Sequence, residues 1–398
     1  MNRKPVLIAG AGIAGLTTAI ALSRAGVPVV LAERRAGFSE AGAGLQLSPN
    51  ATRVMTSLGL AAGVARYAMV PRRLDIRRWS DERAFAGMPM QDQPEADLAP
   101  FWSLKRGDLQ TALVDALRMS SGVRLMVGRT VSGVEQTSAG VICTLENERG
   151  QRESLEASVL VGADGLWSSV RAALGDRTAP RFMGYEAWRT LVPARQAEPF
   201  ALSRSIALWL GQKGHAVHYP VDEGRFVNLV VIRNGQTASE DWSRSGDLTG
   251  LSALSAMAAR PLRNLIEAAP DWQVWSLFDR KPAAMANGHV VLVGDAAHPV
   301  LPFLAQGASA AVEDAGLLAR HVAGAWTDTD PKALERALSG FAQARAGRVT
   351  KIQEAARGNG RMYHAGFPLS AIRDLALTRL GDAGMRKRYA WLYGWRMD

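Results

Sequence analysis

The feature that most constrains this chain is its first 33 residues, which read strand, glycine turn, helix, strand and acid without a break. Pro5-Val6-Leu7-Ile8-Ala9 is an apolar run suited to a strand buried on both faces. Residues 14–25 carry helical spacing with small residues on one side, and residues 27–32 read as a second buried strand. Between them lies Gly10-Ala11-Gly12-Ile13-Ala14-Gly15. Gly10 permits the tight turn, and Gly12 lets backbone approach a pyrophosphate. Ala14 opens the helix, and Gly15 lets helix and strand pack closely, so phosphates meet the helix N-terminus. Glu33, with Arg34 beside it, ends the second strand where a carboxylate accepts both hydroxyls of an adenosine ribose. The segment predicts a dinucleotide site. A carboxylate at this place repels a 2′-phosphate, which favours NAD or FAD over NADP, and the motif itself does not choose between those two.

The 398 residues suffice for two or three packed units at roughly 150 each. A single cysteine, Cys143, excludes a disulfide framework, and the six histidines show no zinc-like spacing, so no metal is expected. The net charge of +10 leaves nucleic acid, a membrane surface or a small anion as partners. Its distribution narrows the choice: residues 331–398 hold ten Arg and three Lys against five acids, a net +8, leaving +2 for the rest. Basic and apolar residues interleave there as on amphipathic helices. The end of the chain therefore reads as a helical segment that packs its Trp and Tyr on the body with arginines outward, without nucleic-acid or membrane partners. Arg3-Lys4 and the apolar run to Leu22 imitate a secretory signal, but the glycines keep a fixed spacing and the run continues into the second strand. No 18 apolar residues follow one another, and a cytoplasmic location is expected.

Two later segments bear on the dinucleotide. Residues 159–171 form an apolar run ending in Asp164-Gly165, with Ser168 and Arg171 opening a helix. Val290-Val291-Leu292-Val293-Gly294-Asp295 repeats the pattern and runs through Pro302 and Gln306-Gly307-Ala308 into a helix over 307–324. An aspartate just after a strand can accept a ribityl or ribose hydroxyl, and the opening N–H groups of the later helix can face a flavin ring oxygen.

These three ordered motifs, GxGxxG, DGxxSxxR and GD, resemble the single-component FAD-dependent aromatic hydroxylases of the p-hydroxybenzoate hydroxylase type, over nearly the whole chain. The resemblance implies that Asp295 binds the FAD ribityl chain and that the Asp164 segment serves FAD and the reduced nicotinamide. It also implies that Arg106, in Leu104-Lys105-Arg106-Gly107, lies over the FAD diphosphate.

Residues 181–280 read as short strands with polar turns, a mainly antiparallel sheet inserted between the second and third motifs. In His215-Ala216-Val217-His218-Tyr219-Pro220, period-two alternation places His215 and Tyr219 on one face and His218 on the other. With Gly184-Tyr185 and Ala187-Trp188-Arg189 upstream, the segment is similar to the branch of salicylate, 3-hydroxybenzoate 6- and 6-hydroxynicotinate hydroxylases. That branch implies His215 as the base for the substrate hydroxyl and Tyr219 as its hydrogen-bond partner, with Tyr185 and Trp188 in the pocket. Gln46, in Gly44-Leu45-Gln46-Leu47, would border both flavin and substrate and tilts the reading toward a benzoate. Pro302, Gln306, Gly307 and Ala308 would lie at the flavin face. His298 reads equally as a helix-start residue or a flavin neighbour, while His289, His321 and His364 carry no motif and read as structural.

The expected fold is α/β: a Rossmann-type FAD-binding domain (1–75, 100–180 and 280–360), an inserted antiparallel substrate domain (76–99 and 181–279) and a helical C-terminal segment (361–398). The expected function is a monooxygenase using FAD, NADH or NADPH, and O2 to hydroxylate a small anionic phenolic or heteroaromatic carboxylate through a flavin C4a-hydroperoxide, as a monomer or homodimer. A phenolate attacks electrophilic oxygen far better than a phenol, which is why a base is needed. The rivals are a same-fold flavoprotein acting on a non-aromatic or polycyclic substrate and, from another class, a basic binding protein carried by Arg386-Lys387-Arg388 and its interleaved aromatics.

Overall fold

The computed structural model describes residues 3–38, 43–91, 99–197, 200, 203–235, 238–239 and 244–397. Its first sheet has six strands, in the order Ala286–Asn287, Val290–Leu292, Val159–Gly162, Val6–Ala9, Val29–Glu33 and Val123–Val127. All neighbours run parallel except the first pair. The central strands are buried along their length because helices and the small antiparallel sheet of Thr130–Thr137, Gly140–Glu146 and Arg152–Ala157 share their core, which is why their sequences are unbroken apolar runs rather than alternating ones. Helices Ile13–Arg24 and Gly307–Trp326 pack against each other over this sheet.

The second sheet has eight strands, in the order Arg244–Gly246, Trp272–Asp279, Arg181–Pro193, Phe226–Asn234, Gly214–Val221, Ser205–Gly211, Arg73–Arg78 and Ala84–Pro89. Every pairing is antiparallel except Ser205–Gly211 with Arg73–Arg78. Side-chain alternation gives it two distinct faces. One packs Trp188, Trp209 and Trp272 with the helix Arg260–Glu267 into a separate core. The other roofs a cavity between the two sheets.

His218 belongs to the packed face. It is almost fully buried, its ring lies 4.3 Å from that of Phe200, and neither ring nitrogen has a partner. Burial, with Arg77 nearby, lowers its pKa to about 3. The unfolded chain takes up this proton near pH 6.5 and the folded chain does not, so stability is lost as pH falls from about 6.5 toward about 3. His218→Leu is expected to match the parent at pH 8 and to lose less stability at pH 4–5, by up to ~3 kcal/mol, in parallel denaturation series.

The chain ends in two long helices, Ala333–Tyr363 and Leu369–Tyr393, the second broken at Gly381, whose φ is +56°. Ion pairs Arg73–Asp382 and Arg78–Asp374 hold it over the second sheet. The expectation of outward arginines holds for the exposed Arg336, Arg361, Arg379 and Arg388 and fails for others. Arg345 and Arg348 reach Glu313 because their helix packs beside Gly307–Trp326 and meets its acids, while Arg357 reaches Asp279 of the second sheet and Arg373 pairs with its neighbour Asp374. Among the described residues no helix is long and apolar enough to cross a membrane.

Candidate active site

Three glycines of the first loop answer to different demands. Gly10 has φ +98°, and a Cβ there would stand 2.6 Å from the Ala163 carbonyl oxygen. A Cβ on Gly15 would stand 1.8 Å from the Gly10 carbonyl oxygen. Both are glycine because the fold requires it. A Cβ on Gly12 would meet no protein atom within 4 Å, since that position faces a cavity of about 490 Å³. The helix Ile13–Arg24 opens there with no side-chain cap and no acid in its first turn, so its N–H groups and positive dipole end are free to take phosphate. Glu33 accepts from the Ala11 N–H (2.8 Å) and the Arg35 N–H (2.9 Å), which fixes the loop and leaves lone pairs for ribose hydroxyls. Arg34 beside it is exposed. Gly12→Val is therefore expected to keep the thermal midpoint of the FAD-free protein while weakening FAD binding by at least ~100-fold. Gly15→Ala is expected to lower that midpoint as well. Differential scanning with and without FAD separates the two.

The later motifs are tied together by their own side chains. Asp164 Oδ2 accepts from the N–H groups of Ser169 (2.8 Å) and Val170 (3.2 Å) and so caps a short helix, while its Oδ1 has no protein partner. Arg171, buried, donates to Asp176 and to the carbonyls of Ala296 and Ala297, joining the second motif to the third. Asp295 projects into the cavity with Arg106. Deep placement raises its pKa, and Arg106 and His298 oppose the rise. His298 itself is buried against Asp314 (2.7 Å), away from the cavity. Gly307 and Ala308 open the helix Gly307–Trp326 at the cavity wall. Gln306 donates to Ser48 (2.9 Å) and accepts from Asn50 (3.1 Å), locking the Gln46-bearing strand Gly44–Leu47 to that helix.

Above this cradle the second sheet presents His215, Tyr219 and Arg189, with Pro302 and Phe303 lining the cavity wall. Tyr219 is within hydrogen-bonding reach of Gln46, and burial raises its pKa against the pull of Arg189. His215 Nδ1 lies 2.8 Å from His364 Nε2. Burial, then His364, lowers the His215 pKa, and burial brings His364 to about 4, so both rings are neutral at pH 7. With Nδ1 taken by His364, Nε2 is the nitrogen of His215 left to meet a ligand. Tyr185 stands behind this pair, against Phe303 (5.7 Å) and His364 (5.0 Å). The expectation for Trp188 is corrected: it alternates with Ala187 and Arg189 to the opposite face, where it packs on Trp272.

His364 is the residue that the sequence concealed. It lies 149 positions from His215 and carries no motif, and only the packing of the helix Ala333–Tyr363 brings it there. Tyr363, Arg388, Tyr389 and Tyr393 likewise reach the cavity from the C-terminal helices. Arg189 had a signal, since period-two alternation places it on the face of Tyr185 and not of Trp188.

A glycine-rich cradle with a ribose-binding acid, roofed by a sheet that carries a neutral histidine and a tyrosine, defines a flavoprotein oxygenase. The family model described as FAD binding domain matches residues 3–354. The 3-amino-4-hydroxybenzoate 2-monooxygenase of Streptomyces platensis is 35% identical over 99% of this chain and 96% of its own. The 3-hydroxybenzoate 6-hydroxylase 1 of Aquipseudomonas alcaligenes is 32% identical over 98% and 97%. A salicylate hydroxylase substrate complex shares the fold with a TM-score of 0.81 at 23% identity, covering 99% of this chain and 96% of that one. The chain belongs to the FAD-binding family of monooxygenases, and the open position at Gly12, the uncapped helix and the Asp295 carboxylate fit FAD.

Proposed function

We propose that the protein hydroxylates a small aromatic acid bearing a ring hydroxyl, salicylate-hydroxylase-like, with electrons from NADH or NADPH. The observation that carries this reading is His215: a neutral, buried imidazole facing the cavity, oriented by a second imidazole 2.8 Å away. The names of the relatives, which act on hydroxybenzoates, support the substrate class.

Bound FAD, once reduced, supplies the activated oxygen. Gly12, Glu33, Arg106, Asp295 and the N-terminus at Gly307 hold it. His215 Nε2 takes the proton of the substrate hydroxyl, while its Nδ1–H donates to His364 Nε2, which fixes the tautomer and steadies the imidazolium that forms. The proton held at His215 Nε2 is then available to return to the product. Tyr219 and Gln46 orient the ring oxygen. The wall beyond them, with Ile76, Ile206, Leu208, Leu210 and Met385, is apolar and keeps water from the reacting atoms.

The test is NAD(P)H oxidation by the FAD-loaded protein against a panel of hydroxybenzoates and hydroxynicotinates under labelled dioxygen. One or more acids should stimulate oxidation and gain a single labelled oxygen. If no phenolic or heteroaromatic acid does so, the reading fails.

A further inference from the structure

Arg189 is a half-buried cation that lines the cavity, with no acid paired to it among the described residues. Burial lowers its pKa, Tyr219 opposes that and Arg106 adds repulsion. Among the described residues it makes no hydrogen bond or ion pair, and its Nε is enclosed without a partner. The buried arginines of the chain behave differently: Arg171 and Arg280 reach Asp176, Arg345 reaches Glu313 and Asp314, and Arg373 reaches Asp374. A guanidinium kept inside a protein without an acid is unfavourable unless an anion arrives.

Its position is fixed. The guanidinium lies over the Trp275 ring, 5.0 Å from the centroid, and the side chain lines the cavity. Register places it between the two expected substrate contacts. Arg189 pairs with Val230 and Val230 with Val217, the residue midway between His215 and Tyr219 on the same face. Two strand spacings, about 9–10 Å, separate the backbones, a span that a long arginine and an aromatic ring together fill.

We propose that Arg189 is the anion anchor of the substrate site: the carboxylate of an aryl acid docks on its guanidinium while the ring hydroxyl lies at His215. This rests on the aromatic-acid reading above and names the residue that selects acids over uncharged phenols.

The experiment titrates the flavin spectrum of the FAD-loaded parent, Arg189→Gln and Arg189→Lys with salicylate and 3-hydroxybenzoate and with their uncharged amides. The parent should prefer acids. Arg189→Gln should raise Kd for the acids at least ~30-fold and for the amides less than ~3-fold, with Arg189→Lys between. Ligand-free Arg189→Gln should be as heat-stable as the parent or more so, because it loses an uncompensated charge. Equal weakening of acids and amides, unchanged acid binding, or loss of FAD with acid affinity intact in the loaded fraction would overturn the anchor alone. A parent that responds to no aromatic acid overturns the substrate reading and the anchor with it.

Discussion

His215→Ala is expected to lower kcat/KM at pH 7 by about 10²–10⁴ for substrates whose ring hydroxyl is protonated, the range a positioned general base contributes. For an acid whose phenol is already ionised, such as a nitro-substituted hydroxybenzoate, the loss should stay within about tenfold. Raising the pH should rescue the variant on the first substrate and not on the second. The physical reason is that His215 lines the cavity with Nδ1 held by His364, which leaves Nε2 for the substrate. The sign of the pH dependence follows from burial. Because the folded pKa lies below the ordinary 6.5, the base stays unprotonated through mild acid, and kcat/KM of the parent should not fall through pH 6.5 as free imidazole would. His364→Gln should leave FAD and ligand binding in place, lower kcat about tenfold and move the acid limb of the profile. A profile identical to the parent's would leave His364 a packing residue. Steady-state rates from pH 5 to 9 with both substrate types decide these outcomes.

How much of this could be read from the sequence depends on how local each signal is. Gly10, Gly12, Gly15 and Glu33 fall within one strand–helix–strand unit, so spacing alone places them, and the structure adds only which glycine serves the fold and which faces the cavity. His215 and Tyr219 share a strand, and alternation settles their common face. Signals that need register or long-range packing were hidden. Resemblance to the branch puts Trp188 in the pocket, although the same alternation turns it away. His364 and the C-terminal tyrosines come from helices whose docking no local pattern encodes. The charge at the end of the chain is legible only in part for the same reason: composition counts arginines but does not show that Arg345 and Arg348 meet Glu313 inside the protein.

That buried network carries the largest stability effect. Arg345 Nη1 lies 2.7 Å from Glu313 Oε2 and its Nε 2.7 Å from Asp314 Oδ1, with all three side chains fully buried. Arg345→Met should destabilise the protein by about 3–5 kcal/mol, because it leaves two buried carboxylates short of a cation rather than removing a matched set. Arg345→Lys keeps the charge but not the fork that bonds both acids, and should recover only part. Lys4→Met, which breaks an exposed pair with Glu156 at 3.1 Å, is the control and should leave the melting midpoint unchanged. The effect should extend to FAD. Burial works to raise the Asp314 pKa, and His298 and Arg345 hold it down as a carboxylate. In that form Asp314 accepts from the Gly294 N–H at 2.8 Å and fixes the turn that aims Asp295 into the cavity. With Arg345 gone, that turn loosens, FAD binds more weakly, and saturating FAD should restore part of the lost midpoint by mass action. A variant that melts early but binds FAD with the parent's affinity would show that the network supports the helices alone.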